Sequence, residues 1–360
     1  METLVLDVLR EYGFNANEVQ HLASFGDGLI NRTYRFFVKG KAYLLQKINT
    51  DVFKNPEGLM DNFADVTAFL KEKIAKNGGD PEREALTIVK TLDGKNFVKT
   101  RYGAFRVMLF IDAISINAAE EPEQLVSVAA TFGKFQNMLA DYPADTLFEV
   151  IPDFHNTKKR FEHLLTAIEN NVAGRRDEVG AEIEYALSMR ERIGAVVDGI
   201  QDGSIPLRVT HNDTKLNNVL LDKQTLQGIC VIDLDTVMSG SYLYDYGDAL
   251  RFAGNNTAED DPDLSKVYLN FDNFAAFTRG YLSAVKSVLS EREIELLPFS
   301  IELMAYECGI RFLTDYLNGD TYFKTTYPEH NLVRARNQFK YARDLEANMD
   351  KMNEYIKGIL

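Results

Sequence analysis

The length, composition and charge of the chain exclude several classes of protein. With 360 residues, 45 % of them hydrophobic and 26 % charged, the sequence has the balance of an ordinary soluble globular protein and enough length for two domains. A formal net charge of −14 makes nucleic acid and membrane surfaces poor partners, because phosphate backbones and anionic lipids are also negative.

The cysteines and the N-terminal segment favour the cytoplasm. Two scattered cysteines, Cys230 and Cys308, indicate reduced thiols and argue against a disulfide framework or a zinc site. The N-terminal segment lacks the basic start and apolar core of a signal peptide. No run of eighteen apolar residues is present to span a membrane. We therefore expect a cytoplasmic protein without a membrane partner.

The first 112 residues predict a small β-sheet with one main helix. Two strand-like runs between residues 21 and 47 flank the turn Lys39-Gly40-Lys41 and are typical of a hairpin. A helix is expected over 56–76, where Pro56 suits the first turn and apolar residues recur every three or four positions. Two further short strands follow before Asp112.

Beyond residue 112 the pattern is mainly helical. Apolar periodicity predicts helices over 122–140, 157–170, 178–200, 269–289 and 291–317. The exception is a strand-rich island at 207–235. The prediction is therefore an α+β protein of two lobes, a nucleotide-binding N-lobe over 1–112 and a larger, mainly helical catalytic C-lobe over 113–360.

Within the island, the segment LRVTHNDTKLNN places polar residues between two apolar runs. If the runs 218–221 and 228–232 pair about a turn at Thr225–Leu226, Asn218 lies opposite Asp233, about 5 Å away. Amide and carboxylate oxygens are ligands that Mg²⁺ takes when it also keeps phosphate and water. Asp235, two residues further on the same face, could reach the same ion or a second one.

Asp213 precedes this pair on a loop and is the predicted catalytic base. Phosphoryl transfer needs alignment, charge neutralisation and a weak base that accepts the hydroxyl proton. Lys215, two residues beyond, could steady the charge of the transferring group. His211, Asp213, Asn218 and Asp233 follow the order of the kinase signature. Turn formation alone accounts for one such residue, but poorly for the whole set.

The N-lobe offers candidates for binding nucleotide phosphates. Gly26 and Gly28 lie between two strands, where glycine lets backbone N–H groups approach phosphate oxygens. On their own they are more typical of a hairpin turn, but beside Asp213, Asn218 and Asp233 they favour a phosphate-binding role. Lys47, near the end of the third strand, is the candidate phosphate-pairing cation, with an ordinary exposed lysine as the alternative. Its acidic partner stays open among residues of the following helix: Glu57, Asp61, Asp65 and Glu72.

Four segments resemble the aminoglycoside-phosphotransferase/choline-kinase group, which is protein-kinase-like. They are GDGLINRTY, DGSIPLRVTHNDTKLNNVLLD, IDLDTVMSGSYLYDYGDALRF and ECGIRFLTDYLNGDTYFKTTYPEHNLVR. Within that group the chain is most similar to kinases that phosphorylate N-acetylhexosamines at C1. The resemblance implies ATP and Mg²⁺ as cofactors, with Asp213 as base and Asp233 as metal ligand, in agreement with the reading of the residues.

The resemblance also implies an acceptor site in the C-lobe. Arg311 and Tyr322 are expected to face the sugar, and Arg251 and Phe252 to border it. Asp248 resembles the residue that braces the catalytic loop in kinase-like folds. Without the resemblance, Arg311 would be taken as a helix-surface arginine and Tyr322 as a packed aromatic.

The predicted function is ATP-dependent phosphorylation of the anomeric hydroxyl of N-acetylglucosamine or N-acetylgalactosamine by a monomeric enzyme. ATP is expected between the lobes, its adenine against the connecting segment from Phe110 to Ala113. The alternative is a kinase for choline, homoserine, methylthioribose or an aminoglycoside. Arg311, Arg334 and Arg336 favour a neutral, polyhydroxylated acceptor over a cationic one such as choline or an aminoglycoside. A pseudokinase is disfavoured because the base and both metal-ligand candidates are all present.

Overall fold

The computed structural model describes residues 2–26 and 30–360 and divides them into two lobes. The N-lobe combines an antiparallel sheet with helices on its two faces. Its elements in chain order are α1 (Glu2–Arg10), β1 (Val19–Ser24), β2 (Arg32–Val38), β3 (Lys41–Ile48), α2 (Pro56–Lys76), α3 (Pro81–Glu84), β4 (Ile88–Val89), β5 (Val98–Thr100) and β6 (Gly103–Leu109).

The N-lobe sheet has the order β1-β2-β3-β6-β4, and β5 also pairs with β6. Direct pairs such as Gln46 with Arg106 fix which side chains share a face. One face packs on α1, with Leu45 and Phe105 in its buried cluster. The other face, which carries Leu44 and Met108, packs on α2 and on the C-lobe. Since successive side chains of a strand alternate, neighbours along β3 point in opposite directions.

The C-lobe contains the remaining elements. They are α4 (Pro122–Met138), α5 (Thr157–Asn170), α6 (Gly180–Ser188), α7 (Ala195–Asp202), β7 (Arg208–Thr210), β8 (Val219–Leu221), β9 (Gly228–Val231), β10 (Met238–Gly240), α8 (Tyr242–Ala253), α9 (Phe271–Val285), α10 (Glu291–Leu317), α11 (His330–Ala347) and α12 (Met349–Ile359). The short strands pair as β7 with β10 and β8 with β9, both antiparallel.

The core of the C-lobe is built around α10, a 27-residue helix that is buried over most of its length. It packs against α5, α8 and α11. Helices α4 and α9 approach each other closely, because Gly133 and Gly280 bring backbone against backbone at their crossing. A Cβ atom at Gly280 would lie 2.3 Å from the carbonyl oxygen of Val126. In the described part of the chain, no helix is long and apolar enough to cross a membrane.

The predicted fold class is confirmed: a small antiparallel sheet forms the N-lobe and helices dominate the C-lobe. The helices predicted over 56–76, 157–170 and 291–317 have the predicted bounds. The helix predicted over 178–200 is wrong, because the chain breaks into α6 and α7. Helices α8, α11 and α12 were not predicted.

Candidate active site

Asp245, a buried residue of α8, holds the loop after β7 through hydrogen bonds to its backbone. Its carboxylate oxygens accept hydrogen bonds from the backbone N–H groups of His211, at 2.9 Å, and Asn212, at 2.7 Å. The side-chain amide of Gln136 donates a third bond of 2.8 Å. The bracing role predicted for Asp248 is therefore wrong, and Asp245, one helical turn earlier, fills it.

His211 connects this loop to the loop after β9. Its Nε2 lies 2.8 Å from the carbonyl oxygen of Ile232, and its Nδ1 accepts the backbone N–H of Asp213 at 3.3 Å. A carbonyl oxygen only accepts, so these partners place the proton of a neutral imidazole on Nε2. The ring is fully buried. The backbone around Asp213 is thereby fixed relative to the strand that leads to Asp233.

Asp213 projects from the loop with its carboxylate a quarter exposed. The Lys215 ammonium lies 2.7 Å from Oδ1. The side-chain amide of Asn218 donates to the backbone oxygen of Asp213 at 2.8 Å and more weakly to Oδ2 at 3.3 Å. Burial opposes the charge on Lys215, but the Asp213 carboxylate outweighs it and raises the pKa of the lysine. The three predicted residues are therefore brought together.

Asn218 and Asp233 retain oxygens that suit a divalent cation. The amide nitrogen of Asn218 donates to Asp213, and no donor among the described residues bonds its side-chain oxygen, which can coordinate a cation. Asp233 is solvent-accessible, and within the described residues no donor bonds its carboxylate. Desolvation by the surrounding protein, together with the negative charges of Asp235 and Asp213, raises the pKa of Asp233 to about 6. A cation would relieve this repulsion between like charges.

The donor set fits Mg²⁺ with phosphate and water as further ligands. Among residues 2–26 and 30–360, no three His, Cys, Asp or Glu side chains lie close enough to hold a metal ion by themselves. Mg²⁺ is commonly bound by only one or two protein oxygens together with substrate phosphates. Asn218 and Asp233 are therefore our proposed ligands.

The register predicted for the β8–β9 hairpin is wrong by one residue. Val219 pairs with Val231, and Ile232 donates to the backbone oxygen of Asn218 at 2.9 Å, so the residue opposite Asn218 is Ile232. An irregularity at Leu221 shifts the pairing. Asp233 follows in a left-handed backbone conformation, with φ 61° and ψ 53°, which turns the chain out of the strand.

Asp235 has partners that do not fit the predicted metal role. Its Oδ1 accepts from the Arg106 guanidinium at 2.5 Å, and its Oδ2 accepts from the Asn31 amide at 2.6 Å. The residue is 2 % exposed. Because both oxygens are already bonded in a closed environment, we leave Asp235 out of the proposed ligand set.

Lys47 lies on the wrong face of the sheet for phosphate binding. Its ammonium is 6.0 Å from the centroid of the Phe105 ring, in the cluster that packs on α1. The adjacent residue Gln46 faces α2 and the C-lobe, and so does its cross-strand partner Arg106. Strand alternation thus overturns the prediction for Lys47.

Gly26 has a left-handed backbone with φ 75°, while the predicted Gly28 lies outside the described residues.

Aromatic rings gather at the connecting segment where the nucleobase was expected. The Phe25 and Phe110 rings meet edge to face, with centroids 5.5 Å apart. The Arg35 guanidinium lies 4.9 Å from the Phe25 centroid and 5.4 Å from that of Phe110. The nucleobase role of Phe110 and Ala113 stays a prediction, and Phe25 and Arg35, which contact Phe110, were not among the predicted residues. The alternation of β2, which places Arg35 beside Leu44 of β3, could have indicated it.

A cavity of about 490 Å³ lies beside the catalytic loop. Its lining residues include Lys215, Arg251 and Phe252, five residues with side-chain amides (Asn117, Asn217, Asn255, Asn273 and Gln338) and apolar residues such as Ala118, Leu125 and Leu216. Arg251 is buried and paired with Asp248, at 2.9 Å, and with Glu259. Although burial opposes it, Arg251 holds the pKa of the Asp248 carboxyl below its usual value.

Arg311 and Tyr322 lie in a separate aromatic environment. The Arg311 guanidinium is 5.6 Å from the ring centroids of both Phe154 and Phe323. Tyr322 is 73 % exposed. Backbone N–H groups of its loop donate to the carboxylate of Asp315, which fixes the loop. Neither residue lines the described cavity, so their contact with an acceptor remains a proposal.

The fold and this arrangement define a protein-kinase-like enzyme class: a small sheet lobe over a helical lobe, with an Asp, an Asn and a second Asp on adjacent loops. The sequence comparison agrees. The chain belongs to the phosphotransferase enzyme family, whose profile matches residues 21–281.

Solved structures of related folds cover nearly all of the chain. An aminoglycoside phosphotransferase from Alicyclobacillus acidocaldarius matches with a TM-score of 0.61 at 14 % identity, over 98 % of this chain and 96 % of that one. Choline kinase from Cryptosporidium parvum matches with a TM-score of 0.62 at 13 % identity, over 100 % and 98 %. Spectinomycin phosphotransferase, solved with ADP and spectinomycin, gives 0.53 at 14 % identity, over 97 % and 98 %. At such identities the likeness shows the fold alone.

Proposed function

We propose that this phosphotransferase transfers the γ-phosphoryl group of ATP to the anomeric hydroxyl of an N-acetylhexosamine, giving the sugar 1-phosphate and ADP. The observation that carries the proposal is the constellation at Asp213. Its carboxylate is oriented by Lys215 and Asn218, and His211 connects its loop to the loop of Asp233, whose carboxylate has no donor within the described residues. This is the set that phosphoryl transfer to a hydroxyl requires.

The residues divide the work between proton transfer and charge. Asp213 would accept a hydrogen bond from the acceptor hydroxyl and take its proton late, which an anomeric hydroxyl favours because it is more acidic than a plain alcohol. Lys215 would stabilise charge on the transferring group. Mg²⁺, held by Asn218 and Asp233, would supply neutralisation of the phosphate charge. Most of the rate would then come from alignment and electrostatics.

The lining of the cavity beside Lys215 supports a neutral, polyhydroxylated acceptor. Side-chain amides both donate and accept hydrogen bonds, as sugar hydroxyls and an N-acetyl group require. Among the described lining residues the carboxylate, Glu259, is already paired with Arg251. A cationic acceptor such as choline or an aminoglycoside would instead call for an unpaired acid.

A panel of acceptors tests the proposal. Purified protein with ATP and Mg²⁺ is incubated with N-acetylglucosamine, N-acetylgalactosamine, glucose, choline and kanamycin, and ADP release is measured. We expect the two N-acetylhexosamines to be preferred, and phosphorus NMR of the product to show phosphate on C1. Preference for choline or kanamycin, or phosphate on another carbon, would contradict the assignment of the acceptor but not of the family.

A further inference from the structure

Arg106 is a buried cation of the N-lobe sheet that bonds to the C-lobe. It lies on β6, is 1 % exposed, and its guanidinium packs 4.7 Å from the centroid of the Phe63 ring. Nη1 bonds to Asp235 at 2.5 Å, and Nε and Nη2 both donate to the side-chain oxygen of Gln46, at 2.9 and 2.7 Å. The planar fork of arginine suits this use of three nitrogens, whereas a lysine offers a single point charge.

Asp235 receives a second bond from the N-lobe, from a different segment. Asn31 immediately precedes β2, and its amide donates to Asp235 Oδ2 at 2.6 Å. The Asn31 oxygen in turn accepts from the backbone N–H of Asn49 at 2.9 Å. One carboxylate of the C-lobe is therefore shared between the sheet and the segment predicted to approach the phosphates.

This carboxylate lies two residues after Asp233, on the same short turn. The left-handed backbone at Asp233 is unfavourable for a residue with a Cβ atom and persists only where neighbouring contacts impose it. Thr236 is fixed from within the C-lobe, where its hydroxyl donates to the backbone oxygen of His211 at 2.7 Å. Arg106 and Asn31 supply the constraint from the opposite lobe.

We propose that Arg106 is a positioning residue that sets the Asp233 carboxylate for the metal–nucleotide complex by clamping Asp235. The inference rests on the proposed assignment of Asp233 as a metal ligand. Arg106 is too deeply buried to contact phosphate itself, so it acts through Asp235. It also lies on the face of the sheet opposite Lys47, so it is a cation through which the N-lobe bonds to the loop of Asp233.

The test measures binding of ADP with and without Mg²⁺ by calorimetry, which needs no acceptor. Arg106→Met keeps an apolar stem and removes the fork. We expect it to weaken MgADP binding at least tenfold, to change metal-free ADP binding less than threefold, and to raise the Mg²⁺ concentration needed for half-maximal binding. Arg106→Lys should recover only part of the loss, because it cannot bond Asp235 and Gln46 with the same geometry.

The control variant is Arg192→Met. Arg192 pairs at 2.8 Å with the buried carboxylate of Glu302 and lies 5.1 Å from the centroid of the Phe299 ring, so this variant also loses an ion pair and a cation–aromatic contact, but from a partly exposed arginine within the C-lobe. It should leave MgADP binding unchanged. If Arg106→Met does not fold, Asn31→Ala takes its place in the test. Asn31 is only partly buried, and its replacement removes the other bond to Asp235.

The outcomes separate the two proposals. If the wild-type protein gains no affinity for ADP from Mg²⁺, the proposed metal site itself fails. If the wild type gains affinity and the folded Arg106→Met and Asn31→Ala variants gain it equally, the metal site stands and the positioning role is wrong. If Arg106→Met loses affinity for ADP equally with and without Mg²⁺, or if Arg192→Met loses as much affinity for MgADP, the positioning role is also wrong, and Arg106 only supports the structure in general.

Discussion

The two oxygens of Asp213 have different neighbours, and this difference suits proton transfer. Oδ1 lies 2.7 Å from the Lys215 ammonium, while Oδ2 accepts, from the residues that the structure describes, a single weak hydrogen bond of 3.3 Å from Asn218. A carboxylate with one strongly bonded oxygen keeps its orientation, and the other oxygen stays available to a hydroxyl. Its partial exposure lets an acceptor approach.

Replacing Asp213 by Asn should abolish proton acceptance while the loop keeps its shape. General base catalysis contributes about 10²- to 10⁴-fold to a rate, so we expect kcat of Asp213→Asn to fall by about that factor with MgADP affinity retained. Steady-state kinetics and calorimetry measure the two effects. Asp198→Asn, which alters an exposed carboxylate of α7 paired with Lys158, is the control. Turnover near the wild-type value would remove Asp213 from the mechanism.

Asp245 supports the catalytic loop from a position where water cannot replace it. Asp245→Asn keeps the shape but turns one acceptor oxygen into a donor facing a backbone N–H group of His211 or Asn212. An unsatisfied buried group costs about 1–3 kcal/mol, so the free energy of unfolding should fall by about that amount. Urea denaturation measures this loss, and kcat should fall as well. Unchanged values of both would show that the loop is braced by other contacts.

At this scale the sequence predicted residue types better than side-chain directions. The spacing of Asp213 and Asn218 indicated a shared site, and the structure brings them into contact. Lys47 was predicted on the cleft face, but one step of strand alternation turns it away. The difference between Asp245 and Asp248 is one turn of a helix that is buried all round, so that no polar face in the sequence marks which carboxylate points at the loop.

At the scale of elements, helices with a marked start, such as α2 after Asn55 and α10 after Ser290, were predicted, whereas α8 was missed. Helix α2 has a clear apolar stripe and Asn55 as its N-cap, and its bounds agree with the prediction. Helix α8 is apolar or buried on every side, so the periodicity that defines a surface helix is missing. The β8–β9 register was wrong because the turn closes between Asp222 and Gln227, one position earlier than predicted, and the irregularity at Leu221 recovers only half of that shift.

The crossing of α4 and α9 depends on glycine. An added methyl group at Gly280 would lie 2.3 Å from the Val126 carbonyl oxygen and 2.8 Å from its Cα, and a helix backbone cannot yield as a flexible side chain does. We expect Gly280→Ala to lower the free energy of unfolding by about 1–3 kcal/mol. Urea denaturation checks this against Gly358→Ala in α12, where nothing lies within 4 Å and no loss is expected. Equal behaviour of both variants would contradict the argument.

In the whole molecule the lobes share more than their connecting segment. One buried cluster extends from α2 and β6 of the N-lobe to α4, β8 and β9 of the C-lobe. The Arg106–Asp235 bond joins residues 129 positions apart. Sequence reasoning could predict two lobes from the change in periodicity, but it could not predict such contacts, because neither partner carries a local signal. The cleft is therefore a product of tertiary packing.

The centre of the C-lobe contains a carboxyl group whose charge opposes folding. Glu302 of α10 is fully buried, and its Oε1 has no hydrogen-bond partner within the described residues. Arg192 bonds to Oε2 at 2.8 Å, but this cation is partly exposed and also binds Glu346. Burial outweighs the ion pair and raises the pKa of Glu302 to about 7.

Stability of the whole molecule should therefore decline as the pH rises towards neutrality. A carboxyl group with a folded-state pKa above its unfolded value of 4.5 favours folding at low pH, and this contribution is lost as the pH rises through about 7. Glu302→Gln mimics the protonated form at every pH. The difference in free energy of unfolding between this variant and the wild type should therefore shift in favour of the variant by about 2 kcal/mol from pH 5.5 to pH 8. Urea denaturation across this range measures the change.

The control variant is Glu346→Gln, which alters the exposed partner of the same arginine and should show no such trend. A constant difference between wild type and Glu302→Gln at every pH would mean that Glu302 stays ionised, and that Arg192 compensates for its burial.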